Sequence, residues 1–307
     1  MVTARDWGDG HIKNSLKQTD SNTWLLGRFM LNRSPYPSDT ATWNEETDNS
    51  SYTLTTAPIT KPSQLSQPDS PYISLVHEAG DASVIWAIGS VALCKIRCIE
   101  KDVTPESVTL DYVQRQQPNF STPKVLCHLF DNNRSYLFLQ RLPGRTLDRA
   151  WPSLIERWRT YYVDTIVAIC EEMANWRGER LSGVDGQNVF EPYLLPRGEK
   201  DYNKLHVTCW EIGMDCSRFV FFHADLGPAN IIVEDNPMSG SVGIIDFEQA
   251  GFFPPGWIRT KFRVSPGLDL SFATHTPTLW RSNVQKALGE RGFKDHAYVY
   301  MEWLEKS

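Results

Sequence analysis

The chain has 307 residues, 41% hydrophobic and 22% charged, long enough for one or two cores and ordinary in composition for a globular protein. Its net charge of −6 offers no basic footprint for nucleic acid. No apolar run approaches the roughly 20 residues that cross a bilayer, so neither a nucleic-acid partner nor a membrane partner is expected.

Residues 1–70 read as a polar N-terminal extension. From Ser34 onward this stretch is dense in Ser, Thr, Pro and Asp, a composition that buries little and favours an extended or disordered chain. Before it, Trp24, Leu25, Leu26, Phe29, Met30 and Leu31 form an apolar stripe that reads as a short helix over 21–31 docked on the main body. The start lacks a charged segment followed by an apolar core, so no signal peptide is expected. Six cysteines without a Cys-x-x-Cys pair read as reduced thiols of a cytoplasmic protein.

From residue 71 the pattern changes. Residues 78–83, Glu-Ala-Gly-Asp-Ala-Ser, supply a turn at Gly80. Two apolar runs broken by Gly89-Ser90 then read as a hairpin, the second run being Val91-Ala-Leu-Cys-Lys95. Thr104-Pro105-Glu106 reads as a helix start, with Thr104 as N-cap and Pro105 at the first helical position. That helix ends before Pro118, and Thr122-Pro123 opens another strand. An apolar strand through Tyr136 and Gln140 runs out at Leu142-Pro143-Gly144. After Trp151, apolar residues at helical spacing from Ile155 to Met173 predict a long scaffold helix. Gly183-Val-Asp185-Gly186 is a turn, and the chain closes with an amphipathic helix through Tyr298, Met301 and Leu304.

The chemistry concentrates in residues 221–252. His223-Ala-Asp225 opens a loop, Asn230 follows, and Ile231-Ile232-Val233 reads as a short buried strand. A polar turn over 234–241 leads to a second apolar run, which ends in Asp246-Phe247-Glu248. Two β-branched runs about a Pro/Ser/Gly turn predict a hairpin. Such a hairpin sets Asn230, entering the first strand, close to Asp246, leaving the second. Oxygen ligands of this kind suit Mg²⁺, and Asp225 is then placed to accept a proton from a substrate hydroxyl. Asp and Asn also favour turns on their own account. That explains any one of these residues, but not all of them in this order.

His-x-Asp, a downstream Asn and an Asp-Phe pair resemble the catalytic loop and metal-binding Asp of kinases. The details are more similar to the aminoglycoside phosphotransferase and choline kinase branch, especially its fungal phosphotransferase members. Gly227 stands where protein kinases usually carry Lys, Glu248 stands where they carry Gly, and no Ala-Pro-Glu follows. This resemblance implies an α+β, two-lobed protein kinase-like fold. A small antiparallel-sheet N-lobe would span 71–139, a hinge 140–147 and a mainly helical C-lobe 148–307. The resemblance further implies ATP and Mg²⁺ as cofactors and a hydroxylated small molecule as acceptor.

Residue roles follow from the same resemblance. The Lys95 strand resembles the one whose Lys holds the α- and β-phosphates. Its helix partner would be Glu106, with Asp111 the second choice, although Glu106 is equally an acid favoured in a first helical turn. Gly80 and Ser83 occupy the place of the phosphate-covering loop, which here lacks Gly-x-Gly-x-x-Gly. Gln140 and Leu142 occupy the hinge whose backbone meets adenine. Asn230 and Asp246 would hold Mg²⁺, Asp225 would take the acceptor's proton, and His223 would brace the loop. Glu248 would approach a second metal or, the favoured reading, bond a neighbouring backbone group. The thin phosphate loop keeps a catalytically inactive, kinase-like binding or regulatory protein as the alternative. Neither the acceptor's identity nor the oligomeric state is written in the chain.

Overall fold

The computed structural model describes residues 10–58, 65–272 and 276–306, so residues 1–9 and 59–64 of the expected N-terminal extension lie outside the described residues. The chain divides into two units, one of residues 1–101 and 123–141, the other of 102–122 and 142–307.

The first unit opens with β1 (Leu16–Asp20), β2 (Thr23–Leu26), β3 (Phe29–Ser34), β4 (Trp43–Glu45) and β5 (Ser50–Thr56), an antiparallel sheet in the order β1-β2-β3-β5-β4. The stripe over 21–31 is therefore a strand pair and not a helix, with Trp24 opposite Leu31 and Leu26 opposite Phe29. A short apolar run fits either element. Gly27, at φ +54°, decides for the turn, because it adopts a left-handed backbone that other residues resist. The polar stretch after Ser34 also departs from expectation: it forms β4 and β5, held by buried Trp43 and Tyr52, which stack at 5.1 Å.

A second antiparallel sheet comprises β6 (Ile73–Ala79), β7 (Ser83–Ile88), β8 (Ala92–Cys98), β9 (Val125–Asp131) and β10 (Arg134–Gln140), in the order β6-β7-β8-β10-β9. The expected hairpin is β7–β8, with Ile88 opposite Ala92. One cluster of buried side chains draws on both sheets, Trp24, Leu31 and Tyr52 from the first and Trp86, Ile96 and Phe138 from the second. Glu45 ties them together. Its carboxylate accepts the Ser90 and Val91 amide protons at 3.1 Å and the Ser90 hydroxyl at 2.6 Å. A Cβ on Gly89, at φ +59°, would lie 2.2 Å from Glu45 Oε1, so this turn takes glycine on two counts.

The second unit includes α1 (Glu106–Arg115), which the sequence reading had placed with residues 71–139. Its entry also differs from expectation. Pro105 is the N-cap and makes no side-chain bond, while the Thr104 hydroxyl donates to Asp185 Oδ1 at 2.5 Å. Asp185 also accepts the Gln187 amide proton at 3.0 Å, so the 183–186 turn anchors the start of α1. Two three-stranded sheets follow, β11 (Arg145–Thr146) with β14 (Ile231–Val233) and β15 (Val242–Ile244), and β12 (Arg177–Gly178) with β13 (Phe219–Phe222) and β16 (Gly251–Phe253).

The remaining helices are α2 (Leu147–Ala150), α3 (Glu156–Met173), α4 (Leu205–Glu211), α5 (Pro255–Val264), α6 (Leu279–Glu290) and α7 (Ala297–Lys306). The expected scaffold helix is α3, which buries Tyr162, Ile166, Ile169 and Met173. In α7 the expected stripe of Tyr298, Met301 and Leu304 is exposed, and Tyr300 is buried instead. The inward face is anchored to other segments: the Tyr300 hydroxyl donates to the Tyr193 carbonyl at 2.9 Å, and Trp303 Nε1 donates to Glu211 at 3.0 Å. No helix among the described residues is long and apolar enough to cross a membrane.

Candidate active site

The β14–β15 hairpin sets Ile231 opposite Ile244 and Val233 opposite Val242. Beyond the ladder, the Ile245 amide donates to the Asn230 carbonyl at 3.0 Å, so Asn230 enters the hairpin beside the point where Asp246 leaves it. The Asn230 side-chain amide donates to the Asp225 backbone carbonyl at 2.8 Å and to Asp225 Oδ2 at 3.0 Å. With its donors turned to Asp225, Asn230 has Oδ1 as the atom suited to a cation.

Buried His223 braces this loop. Its Nδ1 accepts the Asp225 amide proton at 3.3 Å, which makes Nε2 the donor to the Ile245 carbonyl at 3.0 Å. Two non-glycine residues adopt a left-handed backbone here, Ala224 at φ +62° and Asp246 at φ +66°. Strain of this kind persists where surrounding bonds over-determine the chain, as at functional loops.

Glu106 reaches the same place from α1. Its Oε1 accepts the Phe247 amide proton at 3.0 Å. Carboxylate oxygens of Glu106, Asp246 and Glu248 lie within 4.8 Å of one another. Glu248 therefore stands with this acidic group. Three carboxylates this close repel one another unless a proton or a cation intervenes, and hard oxygen donors of this kind suit Mg²⁺.

The Asp225 carboxyl is pushed up to about 6, by burial first and then by the Asp246 charge; Lys261 opposes the rise, and Glu191 and Glu248 add to it. Glu191 and Lys261 are residues that sequence reasoning missed. Both are buried, and Lys261 Nζ lies 2.8 Å from each Glu191 oxygen. Trp257 Nε1 also donates to Glu191, at 3.0 Å. The available signal was a lysine placed on the apolar stripe of α5, between Trp257 and Phe262.

The other expected positions divide between the units. Lys95, buried on β8, pairs across its ladders with Ile85 and Leu137. Gly80, at φ +54°, turns the chain between β6 and β7, and Ser83 stands opposite Ala79. Gln140 ends β10 and donates its amide proton to the Lys124 carbonyl at 2.8 Å. These four lie in the first unit. Glu106, Leu142, Asp225, Asn230 and Asp246 lie in the second, where Leu142 packs on Gly243, a Cβ on which would fall 2.6 Å from Leu142 Cδ1.

Residues 99–257, more than half of the chain, match the group described as the phosphotransferase enzyme family. No curated protein sequence matches the chain. Among solved structures, aminoglycoside phosphotransferase APH(3'')-Id from Streptomyces rimosus aligns over 75% of this chain and 90% of its own, with 15% identity and a TM-score of 0.49. A thermostable mutant of aminoglycoside phosphotransferase APH(4)-Ia, in a ternary complex with AMP-PNP and hygromycin B, aligns over 75% of this chain and 82% of its own, with 14% identity and a TM-score of 0.50. At such identities the likeness is one of fold, α+β and protein kinase-like with antiparallel N-terminal sheets. Neither match supports the narrower likeness to fungal members.

Proposed function

The chain belongs to the phosphotransferase enzyme family, and from that premise we propose that it transfers the γ-phosphoryl group of ATP to a hydroxyl of a small molecule. The observation that carries this reading is the Asp225–Asn230 pair, joined at 3.0 Å beside the carboxylates of Asp246 and Glu248. A carboxyl poised at about 6 is ionised at neutral pH and still basic enough to be useful. Asp225 would orient the acceptor hydroxyl and take its proton as the new oxygen–phosphorus bond forms.

Asn230 Oδ1 and Asp246 would hold Mg²⁺, with Glu248 as a further oxygen donor. Bound there, the ion would neutralise charge on the β- and γ-oxygens of the nucleotide. Lys95 would bind the α- and β-phosphates, oriented by Glu106. Gly80 and Ser83 would cover the phosphates through backbone and hydroxyl groups. At the hinge, Leu142 would offer adenine its backbone groups and Gln140 its carbonyl, since the Gln140 amide proton is already given to Lys124. The similar APH(4)-Ia structure is a ternary complex with AMP-PNP and hygromycin B, which supports the pairing of a nucleotide with a small-molecule acceptor. A cytoplasmic setting is part of the same proposal, supported by six free cysteines, of which Cys94, Cys170 and Cys209 are buried.

Thermal unfolding with and without Mg·ATP is the first test. The midpoint should rise only when Mg²⁺ is present, and Asp246→Ala should abolish the rise. Transfer of labelled phosphate to a panel of hydroxylated small molecules then tests turnover. Metal-dependent ATP binding with no turnover on any acceptor would favour the inactive, kinase-like alternative. Absence of any shift at millimolar Mg·ATP would sink the phosphotransferase reading and leave the non-catalytic one.

A further inference from the structure

The second unit contains a recess of about 560 Å³ that none of Asp225, Asn230, Asp246 or Glu248 lines. Its size falls within the roughly 300–1,000 Å³ common for small-molecule sites. Its walls come from the end of α3, the entry to β13, the first turn of α5 and the link between α6 and α7.

Its charge sets it apart from the rest of the molecule. Arg177, Arg218, Arg291 and Lys294 line it, against two acids, Glu171 and Asp215. Four cations less two acids leave a local excess of +2, in a chain whose net charge is −6. The acids are already engaged: Glu171 pairs with Arg291 at 3.1 Å, and Asp215 accepts the Ser217 amide proton at 3.0 Å. Arg218 and Lys294 both add to the lowering of the Asp215 carboxyl, after its bonds to Ser217, so their fields meet within this recess.

The backbone contributes in the same sense. α5 begins here at Pro255 and Gly256, and no side chain caps its N-terminus. A Cβ on Gly256 would lie 2.7 Å from His296 Nε2, so a bare backbone lets the imidazole approach the first turn. Pro255 has no N–H and the Trp257 amide donates to the Pro254 carbonyl at 2.9 Å, so the first turn contributes chiefly the positive end of its dipole. Guanidinium groups around it add paired donors with the geometry of phosphate oxygens.

We propose that this recess binds a small phosphorylated anion carrying two or more negative charges, at a site separate from the one around Asp225. Nothing in this assignment depends on the phosphotransfer reading, since the recess and its lining stand whether or not Asp225 is catalytic.

Inorganic pyrophosphate serves as the probe, titrated into the full chain at low salt without Mg²⁺ and followed by calorimetry and by thermal shift. Saturable binding near one equivalent is expected, with potassium chloride at matched ionic strength giving none. Arg218→Ala and Lys294→Ala should each weaken it roughly tenfold. Both side chains are exposed, so the far-UV spectrum and the ligand-free midpoint should stay at the parent values. Asp246→Ala should bind pyrophosphate as the parent does. Three results would each overturn the proposal: no saturable binding by either method, parent affinity retained in both basic-residue variants, or loss of binding in Asp246→Ala.

Discussion

Glu106, in the first turn of α1, and Phe247, the residue after Asp246, are joined by a hydrogen bond in which Glu106 Oε1 accepts the Phe247 amide proton at 3.0 Å. The bond secures the peptide that follows a residue held at φ +66°, and it brings a third carboxylate beside Asp246 and Glu248. One side chain thus has a structural use, as acceptor, and an electrostatic one, as charge. Substitution separates them.

Glu106→Gln keeps an acceptor for the Phe247 amide and removes the charge. Its thermal midpoint should stay close to that of the parent, while the Mg²⁺ concentration needed for the ATP-induced shift changes. Glu106→Ala leaves a buried amide without its partner and should cost about 1–3 kcal/mol of stability. Chemical denaturation of the three proteins checks this. Equal stability of the Ala and Gln variants would show that the hydrogen bond contributes nothing.

Asp225→Asn should lower turnover about 10²–10⁴-fold if Asp225 takes the acceptor's proton. Mg·ATP should still raise the midpoint of this variant, because Asn230 and Asp246 are intact. Steady-state kinetics on whichever acceptor the panel identifies decides the matter. Retention of the parent rate would remove Asp225 from the mechanism.

The same variant has a pH signature. The Asp225 carboxyl lies at about 6 in the fold, above its ordinary 3.8, so the fold favours the protonated form. Its stabilising contribution is complete below about pH 4 and is lost as pH rises through 6. An asparagine cannot ionise, so at pH 7.5 Asp225→Asn should be the more stable protein, by up to about 3 kcal/mol. That gain should shrink as pH falls from 6 toward 4. Denaturation series of both proteins across this range provide the measurement, and a constant difference would contradict the assignment. In the parent, kcat/KM should fall as pH drops below about 6, where Asp225 gains its proton.

Lys261 and Glu191 form a buried pair, 1% and 0% exposed, with Nζ 2.8 Å from both carboxylate oxygens. Removing one partner strands the other, so Lys261→Met or Glu191→Gln alone should cost about 3–5 kcal/mol. Replacing both should cost less than the sum of the two, because neither charge is then left alone. A double-mutant cycle by chemical denaturation reads this directly. Strict additivity would show the two residues to be energetically independent.

Much of the site was legible in the chain because it is local. Asn230 and Asp246 are joined by a hairpin that β-branched runs and a Ser/Gly turn encode between them, and the ladder sets Ile231 opposite Ile244 as that pattern requires. The β7–β8 turn at Gly89-Ser90 is likewise local. By contrast, Glu106 meets Phe247 across 141 residues and Glu191 meets Lys261 across 70, separations over which no periodicity carries information.

The sequence by itself determined the order of the chemical groups, the family, the hairpin and the scaffold helix α3, since each follows from residue type and short-range spacing. Tertiary structure decided the rest. It turned the 21–31 stripe into strands around Gly27, because strand partners at residues 50–56 were there to pair with β3. It chose Tyr300 over Met301 as the inward residue of α7, because a carbonyl at Tyr193 lay within reach of the hydroxyl. It gathered Glu106, Asp246 and Glu248 within 4.8 Å, and it raised the Asp225 carboxyl by burial first and then by the Asp246 charge. Which residues can form an element depends on neighbours along the chain. Which face is buried, and which charges meet, depends on surfaces that exist only once distant segments have packed.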